Sequence, residues 1–399
     1  MNLVLFTHPQ FLGSQSHQHF ARMLVQAYQR RGHTVVLRQP QAMVRRLVEG
    51  RGAKWAGYID QYLLFPIEAR RQIARDPANT LYVLCDQALG PWVPLVAHRP
   101  HVVHCHDLLA LRSALGQVPE NPTAWTGRIY QRYIRAGFRK ARHFISVSAK
   151  SRSDLHDFGS VRPVTSEVIY NGLNHPYRRQ PREEAKATLM QAGLSAPDGG
   201  FLLHVGGGQW YKNTAGVLRL YAAHVQRSLA TGGVVLPLWL VSPAPGRELQ
   251  VIIDSMPDAA QVRFFQKLGT DAIEALYSVA SALLFPSLAE GFGWPIAEAL
   301  ACGCPVITTD QDPMREVGGP HAHYLPRLNP GESGRQWADS GAELLANLLA
   351  RPAEEREAAA RVGIEWTRRY DADRAIERYL EIYAAVLARE ASPSRRLVT

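Results

Sequence analysis

Two glutamates, Glu290 and Glu298, bracket a tight turn in the segment PSLAEGFGWPIAEALACGCPV, residues 286–306. Two carboxylates this close could be the acid and the nucleophile of a glycosidase, which requires one carboxyl to stay protonated. We place Glu298 in the first turn of a helix, where the helix dipole favours the ionised carboxylate. The sequence therefore favours Glu298 as an acceptor of ribose hydroxyls, and Glu290 as an acceptor of hydroxyls from a second polar group.

The turn between the two glutamates is predicted to join a strand to a helix. The run ALLFPS is typical of a buried strand, and Pro295 suits the first position of the helix PIAEALACG. Gly291 and Gly293 allow the backbone to approach a ligand closely, and the unpaired N–H groups of a helix N-terminus attract phosphate. We therefore expect a phosphorylated ligand here. The alternative is that Glu298 only caps its helix and that Glu290 is solvated.

A second turn, VGGGQWYKNT, follows a strand-like run and precedes the helical pattern TAGVLRLYAAHV. The backbone of Gly206, Gly207 and Gly208 can approach a diphosphate, and Lys212 supplies a compact positive charge that can stabilise a leaving phosphate group. Tyr211 stands where the third glycine of G-x-G-x-x-G would be, so nicotinamide binding is poorly supported. The alternative is that Lys212 is an ordinary surface lysine at a helix start.

Apolar runs alternate with helical patterns along the chain, which predicts two doubly wound α/β domains in tandem. The length of 399 residues is too great for one ordinary domain. We place one domain at residues 1–178, with the final helix, about 372–399, packed back on it, and the other at residues 179–371. Ligands bind such sheets outside the carboxyl ends of their strands, so two domains offer a cleft between two such faces. The strand-like runs are NLVLF, HTVVL, LYVLC, HVVHC, FISVS and EVIYN in the first half, and FLLHV, LPLWLVS, VRFFQ, ALLFPS and PVITT in the second.

The segment HVVHCHDLLALR places His104 and His106 on the same side of a strand, with Asp107 at its end. Two histidines on one face could begin a metal site, but no third ligand is in view, and such histidines are more often satisfied polar groups. The four cysteines occur in apolar or strand-like segments and are expected to be buried free thiols, as in a cytosolic protein. We predict no metal site.

The positive charge of the chain is concentrated in its first half. Residues 1–178 hold 23 Lys and Arg against 10 Asp and Glu, whereas the remainder holds 22 against 25. This asymmetry predicts an anionic partner for the first domain, such as nucleic acid, a phosphorylated substrate or a membrane surface. The sequence contains no run of about 18 apolar residues, and its start lacks the pattern of a secretory signal. We therefore expect a cytoplasmic protein.

Arginines recur every three or four residues in GRIYQRYIRAGFRKARHF, which predicts a basic stripe on one helical face. Such a stripe could seat the first domain on the inner face of the plasma membrane, where each well-placed cation contributes about 1 kcal/mol, or bind the diphosphate of a lipid-linked acceptor. The alternative is a solvated helix face. The stripe consists of Arg128, Arg132, Arg135, Arg139 and Arg142.

The segment FPSLAEGFGWPIAEALACGCPVI resembles the donor-site signature of the family-4 retaining glycosyltransferases, E-x7-E within EGFGxPxxEAxAxGxPV. The segments HVGGGQWYKN, FISVSAKSRSDL, VIYNGLNHPY and HCHDLLALR also resemble parts of that family. The resemblance implies the GT-B fold, in which two Rossmann-like domains face each other across a cleft and the second holds most of a nucleotide sugar. One position departs from the family pattern, because Gly207 stands where an arginine is usual.

The resemblance also implies roles for individual residues. Glu298 would bind the donor ribose, and Glu290 the hydroxyls of the donor sugar. His106 would contact the donor sugar or the reacting centre; the alternative is a structural histidine bonded to the backbone. The backbone contacts expected with the sugar and the diphosphate come from Gly13, Gly291, Phe292 and Gly293.

The function implied is transfer of a hexose, with retained anomeric configuration, from a nucleotide-diphosphate sugar to a glycan or lipid-linked acceptor in polysaccharide or glycoconjugate synthesis. The resemblance implies that no metal is needed, and we expect no cofactor beyond the donor substrate. A nucleotide-sugar epimerase or a phosphorylase of the same fold is the alternative. A nucleic-acid-binding role would use the N-terminal charge, but no recognised motif supports it.

Overall fold

The computed structural model describes residues 1–12, 15–331 and 334–391 and divides into two compact units. The first unit consists of Met1–Asn171 together with the chain from Ala372 onward, and the second consists of Gly172–Asp371. Each unit contains a six-stranded sheet in which all paired strands are parallel. Parallel neighbours require a crossover connection, and most of these crossovers contain a helix.

The sheet of the first unit has the strand order β2-β1-β3-β4-β5-β6. Its strands are β1 (Asn2–Phe6), β2 (Thr34–Arg38), β3 (Thr80–Leu84), β4 (His101–Cys105), β5 (His143–Ser146) and β6 (Thr165–Val168). The helices are α1 (Gln15–Arg30), α2 (Ala53–Ile59), α3 (Phe65–Ile73), α4 (Val93–Val96), α5 (Leu109–Ala114), α6 (Trp125–Phe138) and α7 (Ala149–Phe158). A π-helical turn, Asp60–Leu64, joins α2 to α3.

The sheet of the second unit has the strand order β12-β11-β10-β7-β8-β9. Its strands are β7 (Leu202–Val205), β8 (Leu238–Val241), β9 (Val262–Phe265), β10 (Ala282–Phe285), β11 (Val306–Thr309) and β12 (His323–Leu325). The helices are α8 (Arg182–Gln191), α9 (Thr214–Thr231), α10 (Arg247–Asp254), α11 (Thr270–Val279), α12 (Trp294–Ala301), α13 (Met314–Gly318), α14 (Gly334–Leu349) and α15 (Ala353–Thr367). The last helix, α16 (Ala372–Ala391), belongs to the first unit.

The strand order of the second sheet reverses between β7 and β10. From β7 the chain progresses through β8 to β9 at one edge, whereas from β10 it progresses through β11 to β12 at the other. The two strands are direct neighbours, with Leu202 opposite Ala282 and Leu203 opposite Leu283. In open α/β sheets, ligands bind at such a reversal, outside the carboxyl ends of the strands. The loops that follow β7 and β10 therefore lie at the expected ligand-binding edge.

Buried apolar side chains cover both faces of the first sheet. Alternate residues of β1 point to opposite faces, so Leu3 and Leu5 join one core cluster while Val4 and Phe6 join the other. The helix α16 packs on the Leu3 side, where the Tyr383 hydroxyl lies 3.2 Å from that of Tyr28. The C-terminal helix is thus part of this unit's core.

Most of the predicted strands are present, with two differences at sheet edges. The strand β12 was not predicted, because it contributes only three residues to the edge of its sheet. The strand β6 ends at Val168, so the predicted run EVIYN continues past it into irregular backbone. All four cysteines are free and buried, as predicted. Within the described residues, no helix combines the length and apolar character needed to cross a membrane.

Candidate functional site

Hydrogen bonds join the two loops at the strand-order reversal. Asn213 caps the N-terminus of α9 in the left-handed conformation, with φ 54°, and its side-chain oxygen accepts from the Gly216 N–H at 3.1 Å. The amide nitrogen of the same side chain donates to the carbonyl of Pro286 in the other loop at 3.0 Å. The Leu288 N–H donates to the Tyr211 carbonyl at 2.7 Å. These bonds fix the loop after β7 against the loop after β10.

An ion pair lies where the two loops meet. The Lys212 Nζ is 2.8 Å from Glu290 Oε1, and the exposed fractions of the two side chains are 13% and 8%. The ammonium also lies over the face of Phe285, the last residue of β10, at 4.7 Å from the ring centroid. The structure therefore brings together the predicted cation of one loop and the predicted carboxylate of the other, in a mostly buried setting.

Glu298 is the second carboxylate of this site, and it is 8% exposed. Our placement of Glu298 in the first helical turn was wrong, because it is the fifth residue of α12 and the first turn contains no acidic residue. Burial raises the pKa of Glu298 to about 7, against the lowering effects of hydrogen bonds from Tyr277 and Tyr177 and of the Lys212 charge. The helix dipole does not set its ionisation, and near neutral pH this carboxyl is close to half-protonated.

Two tyrosines that the sequence did not single out hold Glu298. The Tyr277 hydroxyl, on α11, donates to Glu298 Oε2 at 2.9 Å, and burial raises the pKa of Tyr277 well above its ordinary value. Tyr177 is hydrogen-bonded to the same carboxyl, and its ring packs edge-on against Tyr277 with centroids 6.1 Å apart. Tyr177 is the last residue of VIYNGLNHPY, one of the segments that carry the family resemblance. The hydroxyls of both tyrosines reach Glu298 only because of tertiary packing, which the sequence does not show.

Glycines shape the backbone at both loops. Gly208 has φ 80° and Gly293 has φ 100°, conformations that side chains with a Cβ rarely adopt. A Cβ on Gly206 would lie 2.8 Å from His204 Nε2, a distance too short for a real contact. The Phe292 ring is buried, with its centroid 5.4 Å from that of Tyr370. Since that ring is buried, the predicted contact of Phe292 with a ligand rests on its backbone.

In the first unit, His106 and His104 have different surroundings. His106 follows β4, and its Nε2 donates to the Cys85 carbonyl at 2.9 Å, the backbone bond expected of a structural histidine. His104 is fully buried, with Nε2 2.6 Å from the Tyr383 hydroxyl, and burial lowers its pKa to about 3. His104 is therefore a neutral core residue. The predicted diphosphate contact Gly13 lies outside the described residues.

The basic stripe is shorter than the periodicity predicted, because α6 ends at Phe138. Arg128 and Arg132 are exposed on α6. Arg135 donates to the Ser160 hydroxyl. Arg139 follows the helix, and Arg142 lies further on, in an ion pair of 3.1 Å with Glu390 of α16.

The site of the second unit combines one ammonium group, two carboxyls and glycine-shaped backbone. An ammonium and backbone amides suit a diphosphate, whereas carboxyls that accept hydrogen bonds suit sugar and ribose hydroxyls. Among residues 1–12, 15–331 and 334–391, no group of three or more His, Cys, Asp or Glu is arranged to hold a metal ion. The turn VGGGQWYKNT contains no arginine, so nothing within it replaces the arginine that is usual at position 207.

Two family models match the chain, one in each half. The model described as Glycosyltransferase Family 4 matches residues 18–175, and the model described as Glycosyl transferases group 1 matches residues 186–361. The second match contains both loops of the site and Glu298. Between them, the two models span most of the chain.

Curated and solved relatives agree with these matches. The O-antigen chain mannosyltransferase RfbU of Salmonella typhimurium is 24% identical over 232 residues, which are 58% of this chain and 59% of that protein. The chain spans about half to three fifths of the length of the first curated relatives that it matches.

Solved structures share the fold at low identity. Sucrose-phosphate synthase from Thermosynechococcus elongatus has a TM-score of 0.72 at 17% identity, covering 98% of this chain and 100% of that one. Anabaena Alr3699/HepE, in complex with UDP and glucose, has a TM-score of 0.68 at 18% identity, covering 96% and 100%. Together with its two parallel α/β sheets, this likeness shows that the chain has the GT-B fold. The fold and the two family-model matches together identify the chain as a family-4-like glycosyltransferase.

Proposed function

We propose that the protein is a retaining glycosyltransferase that moves a hexose from a nucleotide-diphosphate sugar to an acceptor hydroxyl. The observation that carries this proposal is that the Lys212–Glu290 ion pair and the buried carboxyl of Glu298 belong to one site in the second unit. The loops that follow β7 and β10, at the strand-order reversal, supply the ion pair. The matched group 1 model over this region, and a neighbour solved with UDP and glucose, support a nucleotide-sugar donor.

In the proposed mechanism, the acceptor attacks the sugar from the face that the diphosphate leaves. The bond between the anomeric carbon and the diphosphate oxygen breaks, a bond from the acceptor oxygen forms on the same face, and the acceptor proton passes to the departing diphosphate. Lys212 and backbone amides stabilise the charge that develops on the leaving group, while Glu290 holds the sugar. Glu298 holds the ribose. None of these steps requires a carboxylate nucleophile.

We further propose that the reaction needs neither a metal ion nor a cofactor other than the donor substrate. Lys212 already supplies positive charge beside the proposed diphosphate site, and it is only 13% exposed, so its charge is weakly screened by solvent. We therefore expect Lys212 and the backbone amides, rather than a divalent cation, to stabilise the leaving group.

For the acceptor we propose a glycan or a lipid-linked glycan intermediate. We propose that the protein itself is cytoplasmic, or that it lies peripherally on the inner face of the plasma membrane. The excess of Lys and Arg in residues 1–178 supports an anionic partner for the first unit. The similarity to RfbU, an O-antigen chain mannosyltransferase, supports a role in glycan assembly.

The stereochemical claim can be tested without knowing the acceptor, because water serves as a slow substitute acceptor. The protein is incubated with UDP-, GDP- and ADP-hexoses, and the free sugar is followed by proton NMR. We expect one donor to be cleaved and the first sugar released to have the anomeric configuration of that donor. Release of the opposite anomer would contradict retention. Interconversion of donor sugars without acceptor, or a requirement for inorganic phosphate, would instead indicate an epimerase or a phosphorylase.

A further inference from the structure

Large apolar side chains are exposed in two rows on the first unit. Along α2, the π-helical turn and α3, the row consists of Trp55, Ile59, Leu63 and Ile67, spaced four residues apart. Along α6, the row consists of Trp125, Ile129 and Tyr133, with the same spacing. The exposed fractions of Trp55 and Trp125 are 67% and 72%. A spacing of four places neighbours on one helical face, so each row is a continuous apolar strip.

Tyrosine contacts hold the two rows side by side. The Tyr62 hydroxyl, on the π-helical turn, is 2.6 Å from the Tyr130 hydroxyl on α6. The Tyr62 ring also packs edge-on against Tyr133, with centroids 5.5 Å apart. Tyr58 lies between Trp55 and Tyr130, at 5.8 Å from each ring. The rows therefore form one surface with fixed geometry, which we call the aromatic face.

The segments that carry the aromatic face have an excess of positive charge. Residues 43–73 and 125–138 together hold nine Lys and Arg against three Asp and Glu. One of the three acids, Asp60, is buried, and its carboxylate accepts from the N–H groups of Val44 and Arg45 at 2.8 Å. Lys54, Arg128 and Arg132 are exposed on the helices that carry the two rows. The face thus combines apolar strips, exposed indole rings and a strong excess of cations.

We propose that the aromatic face inserts shallowly into the interfacial region of an anionic lipid bilayer. Helices with one apolar face and a basic flank lie in the membrane plane with their apolar side chains about 5–10 Å into the headgroup boundary. Trp and Tyr are enriched at that depth because their rings are apolar and their N–H and O–H groups stay near water. The proposal does not depend on the donor site, which belongs to the second unit.

Charge favours a bilayer over a second copy of the chain as the occupant of this face. In a twofold dimer the same patch meets itself, so the exposed cations of one copy would lie against those of the other. Anionic lipid instead neutralises them, at about 1 kcal/mol for each well-placed cation. The apolar strips add a contribution that salt does not screen, which a purely electrostatic stripe would lack.

The test is co-sedimentation of the full chain with phosphatidylcholine vesicles that contain phosphatidylglycerol. The apolar variant carries Trp55→Ser, Leu63→Ser and Trp125→Ser. We expect its partition coefficient to fall about a hundredfold or more, because three side chains lose their burial in the interface. The wild type is also expected to keep measurable binding in about 1 M salt, where charges are screened beyond about 3 Å. Its tryptophan emission should shift to shorter wavelength on addition of vesicles.

A matched control removes three exposed apolar side chains from the second unit, by Met190→Ser, Leu229→Ser and Val234→Ser. It should sediment with vesicles as the wild type does, and circular dichroism should show that both triple variants are folded. Equal sedimentation of the apolar variant and the wild type would overturn the proposal. So would binding that disappears entirely in high salt, or a wild-type dimer in sedimentation equilibrium that the apolar variant converts to a monomer.

Discussion

Replacing Glu298 by Gln should make the free protein more stable above pH 7, and the gain should disappear as the pH falls. In the folded protein the pKa of this carboxyl is raised to about 7, whereas the ordinary pKa of a glutamate is 4.5. Between these two values the folded state binds a proton that the unfolded state has lost, so stability decreases as the pH rises through this window. Gln has nearly the same shape, carries no charge and can still bond to the Tyr277 hydroxyl, so the substitution removes only the titration.

The size of the effect follows from the pKa difference. A difference of about 2.5 pKa units at 1.36 kcal/mol each amounts to about 3 kcal/mol. The full effect is expected above pH 7, and little of it remains below pH 4.5. For a unit of this size, 1 kcal/mol shifts Tm by about 2–4 °C, so the transition of the second unit should rise by roughly 6–12 °C at alkaline pH.

The assay is differential scanning calorimetry of the full chain across this pH range, for the wild type, Glu298→Gln and the control Glu343→Gln. Glu343 is an exposed carboxyl on α14 of the same unit, and its replacement should shift Tm little at any pH. A Glu298→Gln difference that is the same at pH 5 and at alkaline pH would refute the reasoning, since a change of packing alone does not titrate.

Three further predictions concern the proposed donor site. Tyr277→Phe removes the hydroxyl that donates to Glu298 Oε2, so the Kd for the donor nucleotide should rise about tenfold in calorimetry. The control Tyr221→Phe removes a buried hydroxyl bonded to the Leu236 carbonyl, and it should leave this Kd unchanged. Lys212→Met should lower kcat about 10²–10³-fold, because the charge developing on the diphosphate loses its ammonium; unchanged kcat would exclude Lys212 from leaving-group stabilisation. Turnover should survive EDTA, and loss of turnover that manganese restores would contradict metal independence.

The repetition of strands and helices could be predicted because buried parallel strands are nearly continuous apolar runs. The strand β12 escaped prediction because three residues at a sheet edge give too short a pattern to recognise. Local patterns therefore identify the longer strands and helices, but they miss a short strand at a sheet edge.

The site was predictable in its residue types and less so in its electrostatics. Glycines, a lysine and two glutamates at strand ends indicated a diphosphate and polyol site, and the structure brings Lys212 and Glu290 into an ion pair. The sequence misjudged Glu298, because α12 begins at Trp294 and burial outweighs the helix dipole. The role of Tyr277 depends on how α11 packs beside α12, which no local pattern encodes.

The basic stripe shows the same limit in another form. Periodicity correctly placed Arg128 and Arg132 on one helix, but it extended the face beyond Phe138, where the helix ends. Periodicity also did not reveal the apolar rows on the same unit. In a sequence, Trp and Ile residues are expected in the core, and only the structure shows that these are exposed.

Nucleotide binding to the second unit tests the central claim most directly. Thermal stability is measured with UDP, GDP and ADP for the wild type, Glu298→Ala, Lys212→Met and the control Glu343→Gln. We expect one diphosphate, at about 100 times its Kd, to add about 2.7 kcal/mol to the stability of the wild type and of the control. That gain should be largely lost in Glu298→Ala and Lys212→Met. Stabilisation by none of the three diphosphates, or equal stabilisation of all four proteins, would contradict a donor site built on these residues.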